Sequence, residues 1–120
     1  MNTQHITINE FGQVIQSDDV LFDTAPYQKH ESVFVPFPLV ENIIAHIIRT
    51  QHLETVTIPK VEAVLPFGKA GIFDYHLRLL SLTNTKLIQW VIEDHTARYQ
   101  HERSLRQERQ EDLISKEAGK

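Results

Sequence analysis

The chain has 120 residues, of which 41% are hydrophobic, and a formal net charge of −4 at pH 7. This length suits a single domain with a substantial core, and the acidic balance argues against a nucleic-acid partner, which would require a basic face. The lack of cysteine excludes disulfides, thiolate metal sites and cysteine nucleophiles. The N-terminus has no basic and apolar regions of a signal peptide, and no segment approaches the roughly 20 apolar residues of a membrane span. We therefore expect a cytoplasmic protein, or the N-terminal module of a longer one.

The first part of the chain predicts a hairpin and a short helix. Residues 5–9 alternate apolar and polar side chains, as a half-buried strand does. Residues 10–12 suit a tight turn because Gly12 can adopt a positive φ, and residues 13–16 resume the extended pattern. Residues 17–22 join a capping Ser-Asp-Asp to Val-Leu-Phe, which predicts a short helix against the core.

The middle of the chain contains the clearest amphipathic helix. Residues 23–35 show no stable period, and Pro36-Phe37-Pro38 then precedes the helix. Proline is tolerated at a helix start because its missing N–H would have no partner there. Apolar residues recur at helical spacing, at Val40, Ile43, Ile44, Ile47 and Ile48.

Three strands are predicted after this helix. Residues 54–58 and 61–65 form one strand interrupted at Pro59, which places that strand at a sheet edge or a bulge. Residues 72–82 are the next strand, and residues 87–92 are a buried strand rich in branched and aromatic side chains. This order predicts an α+β domain, in which helices cover one face of an antiparallel sheet.

The last strand leads directly into a long polar helix. Asp94 and Thr96 can each accept a hydrogen bond from the free N–H groups at a helix start, and residues 97–116 contain neither Gly nor Pro. The apolar side chains of this helix form a thin seam, which consists of Tyr99, Leu105, Leu113 and Ile114. Alone the helix would be marginal. It is either a solvated terminus or is stabilised by pairing with a second copy in a coiled coil.

The order of these elements, together with four short motifs, resembles the PAS domain, a sensor module of bacterial histidine kinases and second-messenger cyclases. The motifs are residues 8–15 in the opening hairpin, 32–36 before the middle helix, 75–79 in the penultimate strand and 93–96 at the junction of the last strand and the final helix. The sequence departs from the family pattern at His76, where many relatives carry an acid.

The resemblance implies a five-stranded antiparallel sheet, a ligand cavity between sheet and helices, a homodimer, and output through the C-terminal helix. Residues 1–96 would be the sensor domain and residues 97–120 the signalling helix. A kinase-type or cyclase-type output domain would follow if the native chain continues. Asp94 and Thr96 would relay the signal, and a negative charge at a helix N-terminus is favoured by about 0.3–1 kcal/mol. The alternative is that these two residues only cap the helix.

The apolar faces of the predicted elements indicate which side chains line the cavity. A small apolar ligand or a partner contact would change how the middle helix packs on the sheet. The predicted lining residues are Ile44, Ile47, Phe73, Tyr75, Trp90 and Ile92. We expect no cofactor, metal site or catalytic residue.

The resemblance raises two cofactors, flavin and haem. Light-sensing flavin chemistry is excluded because the chain has no cysteine to which flavin could be attached. In addition, Trp90 stands where flavin-binding relatives carry a small glycine, and Ile92 stands where they carry a glutamine. Haem would require a histidine from the middle helix, and His46 lies on it. His46 falls at the margin of the apolar stripe, which favours a partly exposed structural histidine over an iron ligand.

An enzyme is the alternative from another class. Asp74 and His76 share one strand face at i, i+2 spacing and could act as an acid–base pair in an isomerase-like cavity. This requires the pair to face the helix-covered side and Phe73 and Tyr75 to face outward. No nucleophile or oxyanion-stabilising loop accompanies the pair, so the non-enzymatic sensor is favoured.

Overall fold

The structure, a computed structural model, describes residues 2–68, 70–81 and 83–118, with side chains in the last range as far as Arg109. Its elements in chain order are β1 (Thr3–Asn9), β2 (Val14–Ser17), a 3-10 helix (Ala25–Tyr27), α1 (Pro38–Thr50), β3 (Val56–Val64), β4 (Ala70–Ser81), β5 (Leu87–Asp94) and α2 (Thr96–Ala118). The strands form one antiparallel sheet in the order β2-β1-β5-β4-β3. This confirms the predicted α+β class with a five-stranded sheet.

The core lies between α1 and one face of the sheet. α1 fully buries three of the five members of its predicted apolar stripe, namely Val40, Ile44 and Ile47. The central strand β5 contributes Trp90 and Ile92, which have no exposed surface. Burial of an apolar side chain of this size stabilises the fold by about 1.5–3 kcal/mol. Among the described residues, no helix has both the length and the apolar character needed to cross a membrane.

The edge strand β3 contains the predicted interruption. The β3–β4 register shifts between Ile58 and Val61, so the two predicted segments form one strand with a bulge at Pro59 and Lys60. Lys60 has a φ of 57°, and its backbone N–H, displaced from the ladder by the bulge, donates to Asp74 Oδ1 at 3.1 Å. Proline is tolerated here because an edge strand does not need every N–H for the ladder.

The predicted short helix at residues 17–22 is wrong. Gln4, on β1 and completely buried, accepts the backbone N–H groups of Leu21 and Phe22 at 2.8 and 2.9 Å. Its amide nitrogen donates to Ser17 Oγ and to the Phe22 carbonyl oxygen. The segment therefore obtains its hydrogen bonds from a distant side chain, which removes the need for a helical turn.

The final helix packs against the sheet through its first turns. Tyr99 is buried, whereas Leu105 is 42% exposed, and the side chains of Leu113 and Ile114 lie outside the described part. The molecule measures 69 Å along its longest axis and 32 and 22 Å along the others. A helix of this length extends about 35 Å, so α2 accounts for much of the elongation.

Candidate functional site

The junction between β5 and α2, which comprises Ile72, Asp94, His95 and Thr96, is tied to two strands. Asp94 Oδ1 accepts the backbone N–H of Thr96 at 3.0 Å and the Thr96 hydroxyl at 2.6 Å. Thr96 Oγ1 accepts the backbone N–H of Ile72, on β4, at 3.0 Å. The backbone N–H of His95 donates to the Ile72 carbonyl oxygen at 3.0 Å. The first residue of α2 is therefore fixed to both β4 and β5.

Gly71 provides the space that this arrangement needs. A Cβ atom at this position would lie 2.7 Å from Thr96 Oγ1 and 2.7 Å from the Phe73 ring. Both distances are below any ordinary van der Waals contact. A side chain at residue 71 would therefore displace either the junction or the core.

A second set of contacts holds α2 one turn further on. The Tyr99 hydroxyl donates to Asp74 Oδ1 at 2.7 Å, and the Lys60 ammonium lies 5.3 Å from the centre of the Tyr99 ring, within the range of a cation–π contact. Arg103 pairs with Glu62 of β3 at 3.1 Å, with both side chains largely exposed. Exposed pairs of this kind contribute about 0–1 kcal/mol, so Tyr99 is the main contact.

Asp74 and Tyr99 alter each other's titration. Burial raises the pKa of the Asp74 carboxyl, but the hydrogen bonds from Tyr99 and from the Lys60 backbone, together with His95 and His76, lower it more. The net effect is a pKa below the ordinary aspartate value of 3.8. The same hydrogen bond to Asp74 is the largest cause that raises the pKa of the Tyr99 hydroxyl.

The outer face of the sheet carries an ionisable cluster formed by Asp74, His76, Glu93 and His95. Asp74 and Glu93 are directly opposite each other in the β4–β5 register. His76 Nε2 contacts Glu93 Oε1, and His95 Nε2 lies 3.6 Å from Asp74 Oδ2 and 3.8 Å from Glu93 Oε2. Within the described ranges, no group of three or more His, Cys, Asp or Glu side chains has an arrangement suited to a metal ion.

The six residues predicted to line a cavity all lie in the buried core. Trp90 contacts Phe37 and Tyr75 edge-to-face, with ring centres 4.9 and 5.4 Å apart. Burial raises the pKa of Tyr75 to about 12. In the described part of the chain, Trp90 Nε1 is buried with no hydrogen-bond partner, which is costly for a donor cut off from water. The other members of the set are Ile44, Ile47, Phe73 and Ile92.

Two surface clefts reach the edge of this core. One of about 640 Å³ lies between the β1–β2 turn and α1 and includes Ile44 in its wall. The other, of about 250 Å³, lies between the start of α1 and β3 and includes Tyr75 and Phe37. Trp90 and Ile92, which are fully buried, lie deeper than either cleft.

The geometry opposes both alternative site assignments. Phe73 and Tyr75 belong to the core, so Asp74 and His76 face the opposite side of β4, and the arrangement required for the isomerase-like enzyme is not met. His46 is exposed on α1 and lies 3.2 Å from the Arg49 guanidinium. A histidine on this side of the helix is not positioned to bind iron within the core.

Sequence reasoning found Asp94, Thr96, Asp74 and His76 but missed the roles of Glu93 and His95. The register that sets Glu93 beside Asp74 includes a shift between Leu79 and Ser81, which the sequence patterns did not predict. The signal that could have indicated their position is the alternation of side chains along β5, which puts Glu93 on the face opposite Trp90.

Comparison with known proteins identifies the fold. Neither a protein-family profile nor a curated protein sequence matches the chain. Among solved structures, the chain is similar to the PAS domain of a protein from Desulfitobacterium hafniense, with 13% sequence identity and a TM-score of 0.50. The match covers 78% of this chain and 93% of that one. The chain therefore has a PAS-like fold, as the sequence motifs predicted.

Proposed function

We propose that the chain is a non-enzymatic, PAS-type sensory and dimerisation module of a bacterial signal-transduction protein. A change in the packing of its core would be passed through Asp94 and Thr96 to α2. The observation that carries this proposal is that Thr96, the first residue of α2, bonds to Ile72 of β4 as well as to Asp94 of β5. A helix fixed to two adjacent strands must follow their relative movement, whereas a helix on a single flexible linker need not.

The input would be a small apolar ligand or a partner contact at the core. The surroundings of Trp90 are apolar and aromatic, and its Nε1–H has no partner among the described residues. A ligand with an acceptor oxygen would satisfy this donor and recover the cost of its burial. Because Phe37 packs against Trp90, such a ligand would displace the start of α1.

The output would pass along α2 to a second copy of the chain. Leu105 is exposed on this helix, and a helix with so few apolar residues gains stability chiefly by pairing. In a longer native chain, a kinase-type or cyclase-type domain would receive the movement. The proposed setting is the cytoplasm.

Hydrogen exchange of the α2 amides tests the coupling. Trp90→Phe changes the core without adding charge, and it would be measured in three backgrounds, with Thr96, Thr96→Ser and Thr96→Val. The proposal predicts that the core change alters amide protection in residues 99–103 in the first two backgrounds and not in Thr96→Val. If Trp90→Phe left the amide protection of α2 unchanged in all three backgrounds, the proposed relay through Asp94 and Thr96 would be contradicted.

A further inference from the structure

The ionisable cluster of Asp74, His76, Glu93 and His95 joins the sheet to α2 through one shared carboxylate. Asp74 Oδ1 accepts the Tyr99 hydroxyl of α2, while Asp74 Oδ2 faces His95 Nε2 at 3.6 Å. Histidine is the side chain whose charge ordinarily changes between pH 5 and 8. A charge on His95 therefore acts on the Asp74 carboxylate, which binds α2 through the Tyr99 hydroxyl.

The two carboxylates need a positive charge beside them. Asp74 and Glu93 stand directly opposite each other on β4 and β5, and like charges in that position destabilise a sheet. Across the described residues, the ion pairs that these carboxylates form are with His76 and His95. The lowered pKa of Asp74 keeps it ionised while the histidines change charge.

The other polar and charged groups around the cluster come from the neighbouring elements. On β3, Thr57 Oγ1 lies 2.9 Å from His76 Nδ1, and Lys60 directs its ammonium group at the Tyr99 ring. On α2, the Arg98 guanidinium lies 5.3 Å from the same ring. Four further charged groups of α2 and β3 line the cleft beside Tyr99: Glu102, which pairs with Arg98, Arg103, which pairs with Glu62, and Arg106. Arg78 contacts Gln89 further along the outer face.

We propose that this cluster makes the docking of α2 depend on pH. At low pH the protonated His95 lies beside both carboxylates and the protonated His76 beside Glu93, so that together they neutralise the pair and hold Asp74 in place for Tyr99. As pH rises the histidines lose their protons, the two carboxylates face each other without compensation, and the first turn of α2 is bound less tightly. Docking is therefore tighter near pH 5.5 than near pH 8. The inference deepens the proposed function, on which it rests in treating α2 as the output element.

Hydrogen exchange of the Tyr99 amide, corrected for the intrinsic pH dependence of exchange and recorded in the presence of EDTA, tests the proposal. Protection is expected to fall about tenfold or more between pH 5.5 and 8, which is the scale of a lost charged hydrogen bond. The double variant His76→Gln/His95→Gln should lose this dependence. The matched control His52→Gln removes an exposed histidine and should retain it.

The result that overturns the proposal is Tyr99 protection that does not change with pH in the wild-type chain, or a pH dependence that persists in the double variant. The pH dependence of Tyr99 protection in the wild-type chain tests the proposal even if the double variant fails to fold. Failure of the proposed function would look different: Tyr99 would respond to pH, but Trp90→Phe would leave α2 protection unchanged.

Discussion

Thr96 Oγ1 lies 3.0 Å from the backbone nitrogen of Ile72, so the first residue of α2 completes the hydrogen bonding of β4. The same hydroxyl donates to Asp94 at the end of β5. One side chain thus joins two strands and the helix that leaves them. This hydroxyl group is therefore one of the hydrogen-bonded links between the sheet and the helix.

Thr96→Val is expected to destabilise the fold by about 1–3 kcal/mol, because it leaves the N–H of Ile72 without its partner and removes one of the two hydrogen bonds that Asp94 Oδ1 accepts. Thr96→Ser retains the hydroxyl and should lose less than about half of that amount. Urea unfolding followed by circular dichroism measures both variants. Equal losses in the two variants would contradict the dominant contribution that is assigned here to the hydroxyl group.

Gly71→Ala is expected to cost about 1–3 kcal/mol, the usual range for an extra group forced into a packed site. The added methyl group would meet both Thr96 and the Phe73 ring at 2.7 Å. Gly68→Ala is the matched control, since its nearest neighbour, Leu65 Cβ, would lie at 3.3 Å in an exposed turn. Thermal unfolding should show a clear loss for the first variant and a small change for the second. Similar melting temperatures for both would contradict the close packing at Gly71.

Trp90→Phe is expected to change stability by less than about 1 kcal/mol. The smaller ring leaves a cavity, which is unfavourable, but the change also removes a buried N–H with no partner, which had cost about 1–3 kcal/mol. Trp90→Ala has no such compensation and should cost about 3–5 kcal/mol. Circular dichroism is the suitable probe because Trp90 is the single tryptophan of the chain. A loss in Trp90→Phe as large as that in Trp90→Ala would contradict this account of the indole nitrogen.

The lowered pKa of Asp74 predicts part of the acid sensitivity of the fold. Its folded-state pKa lies below the ordinary value of 3.8, so its ionised form adds stability that is complete above that value. This stability is lost as pH falls through the folded-state pKa. Asp74→Asn should therefore be less stable than wild type at pH 5.5, and the difference should shrink towards about pH 2. A difference in unfolding free energy that is the same at both pH values would contradict the shift.

Most of the fold was predictable because local patterns agreed with the tertiary structure. Pro59 marked the bulge in β3 because proline cannot donate to a ladder, and the stripe containing Ile44 and Ile47 marked the buried side of α1. The helix predicted at residues 17–22 failed because Gln4, far away in sequence, supplies the hydrogen bonds of that segment. No local pattern contains that information.

The candidate site was predictable only in part, for a related reason. Asp94 and Thr96 act within two residues of each other, so their spacing alone indicated a junction. The partners of Asp74 come from three other places in the chain, Lys60, His95 and Tyr99. Their convergence depends on the β3 bulge and on the direction in which α2 leaves the sheet. No short sequence motif specifies either feature.

The proposed coupling of the core to α2 requires above all that α2 moves with the sheet. Because the chain has no cysteine, spin labels can be placed at Gln16→Cys on β2 and Gln107→Cys on α2, both exposed positions. Pulsed measurements of the distance between them, in labelled protein diluted with unlabelled protein, should give one narrow distribution that shifts with Trp90→Phe. In Thr96→Val the distribution should broaden and the shift should disappear. A distribution that is already broad in wild type and unaffected by either change would contradict the coupling of the core to α2.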